Sequence, residues 1–242
     1  MPPTISLIIP ARNEAELLPR LLDTVQVARQ NFARGADQIE VIVVDNVSTD
    51  DTAARAEAGA ARVVREEVRV IGEVRNAGAR AAQGEILCFV DADARIHPDT
   101  FNAVARRMAD PRVVAGATGV RLERWSLGIL ITYLILVSLV LLLGMDTGVV
   151  FCRRRDFEAI GGYRRGLKVA EDVQFLVDLK KHGKRSRQHL CRATEAKALS
   201  SMRKFDTHGD WHYFGLLWGV LMSVLRHKPF PEDKAQRIWY GR

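Results

Sequence analysis

Gly84-Glu85-Ile86-Leu87-Cys88-Phe89-Val90-Asp91-Ala92-Asp93 decides how this chain is read. A turn glycine leads into an apolar run without alternation, and the run ends in two carboxylates one residue apart. Such a run reads as a strand buried on both faces, as in the middle of a parallel sheet. Open α/β sheets take their ligands beyond the carboxyl ends of the strands, which is where Asp91 and Asp93 fall. Two hard oxygen donors at that place suit Mg2+ or Mn2+ carrying a phosphate. The alternative is a solvated pair of loop aspartates ahead of the helix that follows His97-Pro98.

The alternation recurs on the N-terminal side. Ile5 to Ile9 is a short apolar strand stopped by Pro10, and Asn13 to Glu16 opens a helix with Leu17, Leu18, Leu21, Leu22 and Val25 at helical spacing. Ile39 to Val44 is a second strand ending at Asp45. Ser48 to Asp51 caps a helix over Thr52 to Ala58 that closes at Gly59. Arg62 to Val64 is a weak strand, and Gly72 to Ala82 a loop and an Ala-rich helix. Alternating β and α with strands ending in carboxylates predicts an α/β fold with a mostly parallel, doubly wound sheet.

On the C-terminal side a helix carries Phe101, Val104, Ala105 and Met108, and Val113 to Leu122 reads as one or two strands. From Trp125 to Met145 no residue is charged, and Leu127 to Leu143 is long enough to raise the question of a membrane span. One crossing would put the two halves of a single sheet on opposite sides of a bilayer. An interfacial, re-entrant or buried helix fits better. Trp211 to Leu225, followed by Arg226, His227 and Lys228, is its expected partner, in the pattern of a membrane-surface anchor. Two ordinary core helices are the competing reading.

With 242 residues, 48% of them hydrophobic, the chain can bury one substantial core, and no linker interrupts it. Cys88, Cys152 and Cys191 show neither metal-ligand spacing nor an even framework, which fits a reducing compartment. Met1 to Pro10 lacks a basic leader region, so a signal peptide is not expected and a cytoplasmic location is, peripheral to the membrane if the apolar segments dock there. A net charge of +7 and a pI near 9.6 point to anionic partners. Aromatic residues are rarely interleaved with the basic ones, so nucleic acid is not expected.

Several motifs then occur in a set order: Ser6 to Glu14, Val43 to Asp50, Arg75-Asn76-Ala77-Gly78, Phe89 to Asp93, Gly161-Gly162-Tyr163 and Glu171-Asp172. Together they resemble family 2 glycosyltransferases of the GT-A fold over roughly Thr4 to Arg187. The resemblance implies transfer of a sugar from a nucleotide diphosphate donor, a UDP- or GDP-sugar, with Mn2+ or Mg2+. It implies a catalytic domain over 1–205, the apolar segment 125–145 included, and an apolar helix with a basic tail over 206–242.

Carried over by position, Pro10, Ala11, Arg12 and Glu14 match the loop that holds the nucleotide, and Asp45 the carboxylate that contacts the base. The family pattern after the second strand is Asp-Asp-Gly-Ser, and here Asn46 and Val47 stand for the second Asp and the Gly. Asn76 and Gly78 match a donor-site loop in which backbone amides approach phosphate. Asp91 is assigned to ribose and metal jointly and Asp93 to the metal, where a Lewis acid neutralises charge on the leaving group. Asp172 resembles the general base that deprotonates the acceptor, with Glu171 as its orienting neighbour; a helix start keeps such a carboxylate ionised. Arg203 and Lys204 are placed as cations over the leaving diphosphate, and His208 as a further metal ligand. Of Arg153, Arg154 and Arg155, at most two on one strand could reach a phosphate. An inverting reaction and a lipid-linked acceptor are the expected refinements.

Three rivals remain at this level. A haloacid dehalogenase type hydrolase expects Ser or Thr where Arg95 stands, and leaves Glu171-Asp172 unexplained. A nucleotidyltransferase lacks its glycine-rich, lysine-containing signature between Met1 and Arg20. A non-catalytic, membrane-docked nucleotide-sugar binding protein on the same scaffold would accommodate the altered Asn46-Val47 loop.

Overall fold

The computed structural model describes residues 3–143, 145–166 and 171–211. In chain order these form β1 (Ile5–Ala11), α1 (Leu18–Gln30), β2 (Ile39–Asp45), α2 (Thr52–Ala58), β3 (Arg62–Arg65), α3 (Ile71–Ala81), β4 (Ile86–Phe89) and α4 (Thr100–Met108). There follow β5 (Val113–Ala117), β6 (Val120–Leu122), α5 (Leu127–Leu143), β7 (Val150–Arg153), α6 (Arg154–Ala159), α7 (Glu171–Lys184), β8 (His189–Arg192), β9 (Ala198–Ser200) and α8 (Arg203–His208).

The main sheet has the order β3-β2-β1-β4-β7-β5-β8. All its pairings are parallel except the two made by β7, which runs against both β4 and β5. The expected doubly wound architecture is present. Side chains of β1 alternate between faces, Ile5, Leu7 and Ile9 packing with Leu18, Leu21 and Val25 of α1, and Ile8 with Val74 and Ala77 of α3. Both faces are therefore covered, which is why the strands read as unbroken apolar runs.

Local expectations change in two places. Pro10 does not stop β1, which pairs with β2 through Ala11; the side of Pro10 without an N–H faces β4, whose pairing has already ended at Ile8. The loop expected from Gly72 is helix from Ile71 onward. On α7 the buried apolar residues are Phe175, Leu176 and Leu179, while Val173 is exposed.

Residues Met1–Arg121 and Gly144–Ser200 form one compact unit, and Leu122–Leu143 with Ser201–Arg242 a second. In the second unit Arg124 forms ion pairs with Asp206 and Asp210, each at 2.7 Å, and Trp125 meets Tyr133 edge-on. Trp125 and Trp211 are 55% and 51% exposed. Trp218, Arg226 and Lys228, with the rest of the expected C-terminal apolar helix, lie outside the described residues. Among the described residues no helix is long and apolar enough to cross a membrane.

Candidate active site

The parallel strands deliver their carboxyl ends to one edge of the sheet. Ala11 lies beside Asp45 in the β1–β2 register, and Val90 donates its N–H to the Ile8 carbonyl just before Asp91. The loops after β1 and β2 are laced together. The Asn13 N–H reaches Ser48 Oγ at 3.1 Å, Asn13 Oδ1 accepts the Thr49 N–H at 2.8 Å, and the Glu14 N–H reaches Thr52 Oγ1 at 2.8 Å. Asn13 thus ties loop to loop rather than opening a helix. Asp50 accepts from both Ala15 and Thr52. Asp45 is buried and accepts the Ser48 N–H at 3.2 Å, and Arg12 stays exposed at the rim.

The departure at 46–47 has a physical account. Asn46 is buried, and its Nδ2 donates to the carbonyls of Glu66 at 2.7 Å and Val68 at 3.1 Å, pinning the segment after β3. An aspartate here would set a carboxylate against two carbonyl oxygens. Val47 has φ of 54°, in the left-handed region that a branched side chain enters at a cost.

The donor-site loop assigned to Asn76 and Gly78 is replaced by helix α3, and both residues serve packing. A Cβ on Gly78 would lie 2.4 Å from Ile8 Cγ2 and 2.8 Å from Val44 Cγ2, so the glycine lets the helix approach the sheet. The Asn76 carboxamide is committed to the backbone of Tyr163.

One turn-neighbour of these residues, Arg75, was not singled out in the sequence, and it organises the site. Its side chain is 4% exposed. Nη2 meets Asp91 Oδ1 at 2.8 Å, and Nη1 meets Asp172 Oδ1 at 2.6 Å and Glu171 Oε1 at 3.2 Å. Its Nε is buried with no hydrogen-bond partner, and its Cζ lies 5.2 Å from the centroid of the Tyr163 ring. Three carboxylates from the end of β4 and the start of α7 thus converge on one guanidinium. Burial raises the pKa of Asp172, with Arg75 opposing and Asp91 adding to the rise; Glu171 is raised by burial and by Asp172. The sequence holds only a weak signal for Arg75: Gly72, Gly78 and Ala79 stand three or four residues from it, on its side of the helix.

Asp91 is exposed over 61% of its side chain and uses one oxygen on Arg75. Asp93 follows in the same turn, half-buried. Among the described residues no group of three or more His, Cys, Asp or Glu is gathered for a metal. Two carboxylates one residue apart at a strand end still fit Mg2+ or Mn2+, which are usually held by one or two carboxylates with phosphate oxygens and water completing the shell.

Arg203, Lys204 and His208 all lie on α8, in the second unit. The side chains of Lys204 and His208 are outside the described residues. The arginines expected to seek a phosphate are used elsewhere. Arg153 donates to the carbonyls of Val113, Met108 and Asp110, and Arg154 to those of Gly84 and Ala79. Arg153 pairs with Ile86, at the end of β4 away from Asp91.

The sequence profile of glycosyl transferase family 2 matches residues 6–132, more than half of the chain. The chain belongs to glycosyl transferase family 2. This family 2 chain is 36% identical over 104 residues to the glucosyl-3-phosphoglycerate synthase of Mycolicibacterium smegmatis, covering 40% of this chain and 32% of that protein. It is 35% identical over 128 residues to the validoxylamine A glucosyltransferase of Streptomyces hygroscopicus subsp. jinggangensis, covering 47% of this chain and 28% of that protein. The stretches matched thus span about a third of such relatives. Among solved structures it resembles the mannosyltransferase PcManGT of Pyrobaculum calidifontis in complex with GDP-Man and Mn2+, with a TM-score of 0.69 and 25% identity over 88% of this chain and 60% of that one. The fold is that of the GT-A transferases.

Proposed function

We propose that this family 2 chain transfers a sugar from a nucleotide diphosphate donor to an acceptor hydroxyl or phosphate, with inversion at the anomeric carbon and with Mn2+ or Mg2+. The observation that carries the reading is the meeting of Asp91, at the carboxyl end of β4, with Glu171 and Asp172, at the start of α7, on the guanidinium of Arg75. A donor-side carboxylate and a candidate base are thereby adjacent at the edge where the first two loops are laced. The likeness to a mannosyltransferase that binds GDP-Man and Mn2+ supports a nucleotide-sugar donor.

In this reading Pro10, Ala11, Arg12, Glu14 and Asp45 line the nucleoside side, and Asp91 and Asp93 would hold the metal. When bound, the metal supplies Lewis-acid stabilisation of the charge that develops on the leaving diphosphate. Asp172 takes the proton of the acceptor as its oxygen attacks the anomeric carbon from the face opposite the diphosphate. A raised pKa suits that work, because a base tuned toward the working pH transfers protons best. The exposed apolar residues Trp125, Leu127, Leu130 and Leu134 favour a lipid-linked acceptor and peripheral membrane contact over a soluble sugar.

A screen of UDP- and GDP-sugars with and without Mn2+ tests the proposal. Thermal stabilisation and slow hydrolysis of at least one donor, both dependent on the metal, are expected. Binding without any turnover would favour the non-catalytic binding protein, and neither response would overturn both.

A further inference from the structure

We propose that Arg75 and Tyr163 are positioning residues that hold Asp172 by Oδ1 and leave Oδ2 as the atom that takes the acceptor's proton. The inference rests on the transferase reading above and adds to it the reacting atom and the two residues that select it. Arg75 Nη1 lies 2.6 Å from Asp172 Oδ1, and the Tyr163 hydroxyl donates to the same oxygen at 3.2 Å. A carboxylate oxygen offers two lone-pair directions, so both positions on Oδ1 are taken. Among the described residues nothing donates to Oδ2, and the side chain is 31% exposed.

Neither donor is free to follow the carboxylate. Arg75 is tied to carboxylates at the end of β4 and the start of α7 and is almost fully buried. Tyr163 is 1% exposed, stacks on Phe175 with centroids 4.1 Å apart, meets Phe89 edge-on at 5.3 Å and has its backbone clasped by Asn76. Gly161 and Gly162 bring it there with φ of 76° and 74°, and a Cβ on Gly162 would lie 2.6 Å from Asn76 Oδ1. The carboxylate therefore takes its orientation from a rigid pair of donors.

In the step so oriented, the acceptor O–H bond breaks and its proton goes to Oδ2. The electron pair of the acceptor oxygen forms the new bond to the anomeric carbon, and the pair of the old carbon–oxygen bond leaves with the nucleoside diphosphate. Arg75 also holds Asp91, whereas among the described residues Asp172 is the one carboxylate that Tyr163 meets, so the two residues can be told apart.

The test uses the whole chain with UDP-glucose and GDP-mannose as donors, Mn2+, and water standing in for the acceptor. Tyr163→Phe removes one hydroxyl and no charge. It is expected to lower kcat roughly tenfold, the factor one hydrogen bond to a charged group is worth, with the Kd of UDP or GDP with Mn2+ unchanged. Arg75→Lys keeps the charge and loses the fork. It is expected to lower kcat further and to weaken donor binding as well, with Arg75→Met lower again. Should the Arg75 variants fail to fold, Tyr163→Phe carries the test. Wild-type turnover with an unaltered kcat in Tyr163→Phe would overturn the positioning role alone. Absence of turnover in the wild type would overturn the transferase reading and this role with it.

Discussion

The carboxamide of Asn76 clasps the peptide of Tyr163 from both sides: its Nδ2 donates to the Tyr163 carbonyl at 2.9 Å, and its Oδ1 accepts the Tyr163 N–H at 2.9 Å. One helix residue thus fixes a turn far along the chain, next to the arginine that gathers the site carboxylates. Asn76→Ala leaves a buried N–H and a buried carbonyl unpaired, each a penalty of about 1–3 kcal/mol. A loss of roughly 2–5 kcal/mol in urea unfolding is expected, and a loss under about 0.5 kcal/mol would contradict the clasp.

Gly78→Ala sets two effects against each other. Alanine in mid-helix gains about 1 kcal/mol in propensity, while a methyl 2.4 Å from Ile8 Cγ2 and 2.8 Å from Val44 Cγ2 overpacks the core by about 1–3 kcal/mol. Net destabilisation is expected in a thermal melt, with donor affinity of the folded fraction retained. Lost affinity with an unchanged melting temperature would return Gly78 to the phosphate site.

Val47→Gly should stabilise. Left-handed φ costs a branched residue about 1–2 kcal/mol, and glycine, while relieving it, loses about 0.4–1 kcal/mol because its unfolded chain has more freedom. A gain of roughly 0.5–1 kcal/mol in chemical denaturation is the expected net. A loss of stability would show that the half-buried valine packs well enough to outweigh its backbone.

The architecture was legible because its signals are periodic and local. Strands covered on both faces read as unbroken apolar runs, and Asp91, Asp93, Glu171 and Asp172 stand at strand and helix ends where chemistry gathers. Arg75 was hidden because a charged residue in an Ala-rich helix ordinarily faces water, and its burial depends on carboxylates 16, 96 and 97 residues away. Arg153 and Arg154 misled for the opposite reason. A run of arginines suggests a ligand, but here the fold spends two of them on its own carbonyls, Met108 at the end of α4 and Ala79 in the last turn of α3 among them.

With Asp172 as the proposed base, the acid limb of activity follows from that residue. Its pKa is raised from the ordinary aspartate value by burial, so in the proposed role it protonates, and stops acting as a base, at a higher pH than an ordinary aspartate would. The kcat profile should lose activity on the acid side at that higher pH. Tyr163 stabilises the charged form through its hydrogen bond, so Tyr163→Phe should move the limb to still higher pH. A limb at the ordinary aspartate position, unmoved by the substitution, would assign the titration to another group.

The most direct measurement compares Asp172→Asn with the wild type in donor binding and in turnover on the same preparation. A base that acts only as the acceptor is deprotonated contributes to the transition state and little to donor binding. The account predicts an unchanged Kd for the nucleotide with Mn2+ and a kcat lower by about a hundredfold or more. Turnover near the wild-type rate, or a kcat loss matched by an equal loss of donor affinity, would contradict it.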